Sequence, residues 1–276
     1  MTATATGTGQ SRMHEAFARA RAERRTAVLP FITGCYPDAA ATERLLRELP
    51  AAGADLIEIG IPFSDPIADG PVIAESMHRA LVAGATPAAV FEAVRRASPS
   101  VPVVAMVSVS IVERMGRDRF LRDAVDAGFS GFIVPDADPA SAAEIAASCA
   151  SLGAGFCPLV APTTSGERLR SLALAASGFV YLLARAGVTG ERTEAPEIEA
   201  SARRLREALA TRPAGAPAIP IAAGFGIASG DHVRAVGAHA DGAIVGSAIV
   251  RRMTDAIAAG ADPVAAALEL VRGLRG

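Results

Sequence analysis

At 276 residues the chain is long for one doubly wound sheet and suits one closed (β/α)8 barrel, large enough to bury a core without staples. Ala, Val, Leu and Ile carry most of the 51% hydrophobic content, Trp is absent, and all 27 basic residues are Arg; with no lysine, Schiff-base chemistry at a carbon–carbon bond is excluded. The formal charge of −2 excludes the basic face that nucleic acid requires.

Cys35, Cys149 and Cys157 are too few and too scattered for a disulfide framework and suit a reducing cytoplasm. They form no metal-ligand spacing with His14, His78, His232 and His239. Residues 1–10, small and polar, read as a flexible N-terminus and not as a signal peptide. No apolar run approaches the roughly 18–20 residues of a membrane span.

In chain order, an amphipathic helix is expected around Ser11–Arg25, with Met13 and Phe17 on one face. Strands are then expected at Ala27–Thr33, Asp55–Gly60, Val103–Val107, Gly131–Val134, Gly155–Val160, Phe179–Leu183, Ile219–Ala222 and Gly242–Val245. Helical spacing fills the intervals: Ala39–Ala52, Val72–Ala97, Asp118–Ala127, Ala140–Leu152, Gly166–Ala176, Glu197–Ala210, Asp231–Ala238, Ala248–Ala259 and Asp262–Leu274. Eight strands, each followed by a helix, predict a single-domain parallel (β/α)8 barrel over residues 11–276.

Several of these strands are nearly continuous apolar runs, as expected when both faces are buried. The second is the exception. Alternation places Leu56, Glu58 and Gly60 on one face, with Glu58 near the strand's C-terminal end. A plain ion pair with an arginine is one reading; the other is a proton-transferring carboxyl whose pKa is raised by dry surroundings. Asp69 follows in the loop Pro62–Pro71, on the face where barrel enzymes keep their sites. It reads as an acid–base partner or as a turn or cap before Pro71, and spacing does not separate it from Asp65.

Gly224–Phe225–Gly226 after the seventh strand and Gly246–Ser247 after the eighth fit the recurrent phosphate site of this fold, or ordinary tight turns. The loop Arg185–Arg192 after the sixth strand has the makings of a lid. Tyr181 leads into it, as a pocket or a core residue.

The run Leu56–Pro71 resembles the signature of the tryptophan synthase alpha subunit family almost residue for residue. So do Pro30–Thr33, Ala161–Thr164, Tyr181–Leu183 through Gly187–Gly190, Gly224–Ile227 and Gly246–Val250, and the resemblance runs from about residue 11 to the C-terminus. It implies a (β/α)8 barrel that cleaves indole-3-glycerol phosphate to indole and glyceraldehyde 3-phosphate without a cofactor of its own. Glu58 and Asp69 fall on the family's catalytic pair, Phe31, Tyr181 and Thr189 on substrate positions, and Gly190, Phe225, Gly226, Gly246 and Ser247 on phosphate positions.

Three stretches depart from the family's pattern. Met106–Glu113 replaces an aromatic-rich segment with an Asn-Pro pair that contacts the beta subunit, so Val107–Val112 puts that docking in doubt. Cys35 stands where glycine is usual, and Asp138 where proline is common. The readings carried forward are an alpha subunit feeding a beta subunit, a free-standing lyase that releases indole for specialised metabolism, and a non-catalytic barrel that regulates a partner.

Overall fold

The structure is a computed structural model and describes residues 7–66, 69–183, 198–224 and 226–275. Among them nine parallel strands alternate with helices: β1 (Ala27–Thr33), β2 (Ile57–Gly60), β3 (Val103–Met106), β4 (Gly131–Ile133), β5 (Gly155–Phe156), β6 (Leu159–Val160), β7 (Val180–Leu183), β8 (Ile221–Gly224) and β9 (Gly242–Val245). The helices are α1 (Gly9–Ala22), α2 (Ala39–Ala52), α3 (Pro71–Val82), α4 (Pro87–Ala97), α5 (Val109–Met115), α6 (Arg117–Ala127), α7 (Pro139–Ser151), α8 (Gly166–Ala175), α9 (Glu199–Leu209), α10 (Gly230–Gly237), α11 (Ser247–Ala258) and α12 (Pro263–Leu274). None of the described helices is long and apolar enough to cross a membrane.

The strand order is β5-β4-β3-β2-β1-β9-β8-β7-β6. Its two ends are halves of one segment, the expected fifth strand. Pro158 has no N–H to give and interrupts the ladder there. The first half pairs with β4, where Cys157 N–H donates to Phe132 O at 2.8 Å. The second half pairs with β7, where Tyr181 N–H donates to Pro158 O at 2.9 Å, and so the eight-membered ring closes.

Alternation along each strand divides the core in two. Leu29, Leu56, Val104, Ile133, Cys157, Phe179, Tyr181, Ala222 and Ile244 fill the barrel. The opposite strand faces meet the helices in a larger cluster that includes Ile32, Ile57, Ile59, Phe132 and Leu182.

Three elements differ from expectation. The helix expected over Val72–Ala97 is two helices, broken where Gly84 takes φ 89° and Thr86 caps α4 ahead of Pro87. The first helix begins at Gly9, capped by Thr8, so it takes in the last two residues of the stretch read as a flexible N-terminus. Val109–Met115, where no element is expected, is the short helix α5, capped by Ser108.

Helix α1 lies across the N-terminal mouth. Its Met13 enters a seat lined by Gly131, Gly155 and Gly178, where a Cβ would stand 2.9, 2.2 and 2.9 Å from the Met13 methyl. Only the absence of side chains lets that methyl in. Phe17 fits over Gly242 in the same way and packs on Phe179 at 5.8 Å between ring centroids. The plug leaves the opposite mouth as the open end.

Candidate active site

Strand β2 carries Glu58 inward, in register with Phe31 of β1 and Val104 of β3. Its carboxyl is fully buried, and neither oxygen has a hydrogen-bond partner among the described residues. Burial pushes the pKa up to about 8, with the negative charge of Asp69 adding to the rise. Asp69 lies in the loop after β2, where burial pushes its carboxyl up to about 6. It does not cap α3, because Gly70 occupies that position. Asp65 also borders the cavity but is exposed on its rim, so burial separates two aspartates that spacing left equal.

Both acids open onto a cavity of about 490 Å³ at the C-terminal mouth. Phe31, Tyr181, Gly226, Gly246 and Ser247 line it with them. So do Ile73, Met77, Leu159, Leu183 and Ile244, none of them a site residue expected from the sequence. They make the walls apolar; strand alternation was the available signal for Leu159, Leu183 and Ile244, and the i, i+4 spacing on α3 for Ile73 and Met77. Tyr181 belongs both to the barrel interior and to the cavity wall. Burial first, then the charges of Glu58 and Asp69, holds its phenol well above the ordinary value, so it stays a neutral hydroxyl.

Two close approaches shape this wall. A Cβ on Gly224 would stand 2.3 Å from the Tyr181 Oη, and one on Gly60 would stand 2.6 Å from the Phe31 ring. Glycine at those strand ends lets both rings lie across their neighbours and into the barrel.

A family model described as tryptophan synthase alpha chain matches residues 17–275. The tryptophan synthase alpha chain of Halorhodospira halophila is 43% identical over 248 residues, with 87% of each chain covered. That of Roseiflexus sp. is 40% identical over 270 residues, covering 96% of this chain and all of the relative. The chain belongs to the tryptophan synthase alpha chain family. The crystal structure of the alpha subunit from Legionella pneumophila superposes with a TM-score of 0.83 at 31% identity, covering 96% of this chain and 97% of that one. A Mycobacterium tuberculosis tryptophan synthase structure superposes at 0.82 with 33% identity, covering 98% and 99%.

Of the positions expected to bind phosphate, Gly226, Gly246 and Ser247 lie among the described residues. Gly226 takes φ 78° at the end of β8. Gly246 precedes α11 and, having no side chain, leaves the N–H groups of the first turn, beside Ser247, without a side-chain cap. Thr189, Gly190, Phe225 and the loop Arg185–Arg192 lie outside the described residues.

Two departures from this alpha-chain family acquire physical reasons. Cys35, where glycine is usual, sits at φ 57°, the left-handed conformation that favours glycine. Asp138 is the N-cap of α7, accepting from the N–H groups of Ala140 and Ser141, which hold its carboxyl below the usual range; Pro139 follows at the first helical position.

The third departure, after β3, borders the same cavity through Met106, Val107, Ser108 and Ser110. Asp136 accepts from the Ser108 hydroxyl at 2.6 Å and from the Val109 N–H at 2.8 Å, and ties α5 to the loop after β4.

Proposed function

We propose that Glu58 and Asp69 are the acid–base pair with which this alpha chain cleaves indole-3-glycerol phosphate to indole and glyceraldehyde 3-phosphate. The observation that carries the reading is the buried Glu58 carboxyl, unpartnered among the described residues, facing a cavity it shares with Asp69. A buried acid left without a partner is costly to keep and is suited to proton transfer. At pH 7, between about 6 and about 8, Glu58 holds its proton and Asp69 is ionised. Glu58 then gives its proton to indole C3. Asp69 accepts a hydrogen bond from the indole N–H and stabilises the positive charge that develops there.

Protonated C3 makes the indolenine, which is itself the electron sink. Glu58, now a carboxylate, takes the proton from the hydroxyl next to the scissile bond, and the C–C bond breaks. The indolenine nitrogen receives the bond's electrons and indole leaves. No lysine is needed.

Phe31 and Tyr181 are assigned to the walls that hold the indole, with Thr189 as a substrate contact. Gly190, Phe225, Gly226, Gly246 and Ser247 are assigned to the phosphate. The segment Val107–Val112, which lacks the aromatic-rich pattern expected for contact with a beta subunit, favours a second reading, in which the lyase works without a beta subunit and releases indole. The setting is a reducing cytoplasm in either case.

The test is indole release from indole-3-glycerol phosphate by the purified chain alone and with a beta subunit added. Slow turnover that rises on addition marks an alpha subunit in a complex. Fast turnover alone marks a free-standing lyase. Turnover in neither arm returns the chain to the non-catalytic reading.

A further inference from the structure

Behind the candidate phosphate cradle stands a side chain that the reaction as described does not use. His232 lies in the first turn of α10, with 8% of its surface exposed, and is not among the residues that line the cavity. Its Nδ1 lies 3.2 Å from the Gly226 carbonyl oxygen and 3.3 Å from the Ala228 backbone nitrogen. Both groups belong to the turn that joins β8 to α10, and the side chain between them, Ile227, is buried. Gly226 borders the cavity on the other side of that turn. One ring nitrogen therefore spans a turn whose far surface borders the cavity.

We infer that His232 is a positioning residue for the substrate's phosphate, holding the turn Gly226–Ala228 in the shape that receives it. The inference rests on the phosphate reading of Gly226 made above. A ring with a lone pair on Nδ1 accepts the Ala228 N–H; a ring with a proton there donates to the Gly226 carbonyl. Each state ties the turn to α10. Without the ring, backbone groups of the turn lose a partner, and the cost of ordering the turn falls on binding.

The probe is inorganic phosphate, followed by calorimetry and as a competitive inhibitor, beside steady-state kinetics with indole-3-glycerol phosphate. His232→Leu raises the phosphate Kd and the substrate KM about tenfold, the order of one lost hydrogen bond, and leaves kcat within about threefold. His232→Asn places an amide atom where Nδ1 stands and restores both within about threefold. Wild-type phosphate affinity in the leucine variant overturns the inference, as does an asparagine variant that folds normally yet binds no better than leucine.

Should the leucine variant not fold, the wild type carries the test through its ring nitrogen resonance. Saturating phosphate moves the Nδ1 signal of His232; a signal that stays in place overturns the inference. Absence of phosphate binding to the wild type overturns the phosphate reading itself, and this inference with it.

Discussion

Asp55 and Glu58 stand three residues apart in the chain, both closed off from solvent, and they are treated in opposite ways. Asp55 faces the N-terminal mouth. It accepts from the Arg25 guanidinium at 2.5 and 2.8 Å, from the Val28 N–H at 3.0 Å, and from Arg275 at 3.5 Å. Asp241 does the same for β8 at that mouth, bound by Arg21 and by the Ile221 N–H. Glu58 faces the C-terminal mouth without a partner for either oxygen among the described residues. Burial of a carboxylate therefore says little by itself. Burial with or without partners separates a charge that holds the barrel together from one kept ready for proton transfer.

The sharpest way to break this comparison is to neutralise each acid in turn. Glu58→Gln is expected to lower indole release by roughly 10³-fold, as loss of a general acid does, with the fold intact by circular dichroism. Asp55→Asn is expected to leave kcat within about twofold and to cost about 2–3 kcal/mol in denaturant unfolding, because an amide cannot accept from both Arg25 guanidinium nitrogens and the Val28 N–H together. If the two exchanged phenotypes, the assignment of the mouths would be wrong. Asp69→Asn is expected to fall between them in turnover, about 10²-fold down, since it keeps the shape and loses the charge.

The same pair sharpens into a pH dependence. Cleavage needs Asp69 ionised and Glu58 protonated, so kcat/KM is expected to rise through about pH 6 and fall through about pH 8. Stability follows from Glu58 with a definite sign. Its folded value of about 8 lies above its ordinary 4.5, so its contribution is complete below about pH 4.5 and is lost as pH rises through about 8. Glu58→Gln removes that slope, and urea unfolding at pH 8.5 should find the variant more stable than wild type by about 3–5 kcal/mol. A variant less stable than wild type there would remove the burial argument.

The barrel and the inward Glu58 were legible because both rest on local alternation: a period of two along β2 and apolar runs of strand length. The choice of Asp69 over Asp65 was not, since their difference is burial created by the folded loop. Gly224 as a requirement of Tyr181, and the glycine seat of Met13, were equally hidden, because each contact joins distant parts of the chain. The break between α3 and α4 was written locally in Gly84 and Thr86–Pro87, but the continuous helical spacing of Val72–Ala97 masked it.

At the plugged mouth the effects are smaller and confined to stability. Met13→Ala is expected to cost about 3 kcal/mol in denaturant unfolding, since the glycine seat cannot collapse around a smaller side chain. Turnover per folded molecule should stay unchanged. A fall in kcat with unchanged stability would mean that the plug reaches the site, against the division drawn above.

The smallest expected effect concerns Cys35, just beyond β1. The glycines beneath Met13 are needed for space, whereas at φ 57° it is the backbone that disfavours a Cβ. Replacing the buried thiol with glycine gives up packing and relieves a left-handed backbone, two terms of about 1 kcal/mol each and opposite sign. The net change alone would therefore decide nothing. Alanine separates the two terms, because it gives up the thiol and keeps the Cβ. Cys35→Gly is expected to be more stable than Cys35→Ala by about 1 kcal/mol in denaturant unfolding, the cost of a left-handed residue with a side chain. Equal stability of the two variants would show that the turn after β1 relaxes, and that the cysteine is held there by packing alone.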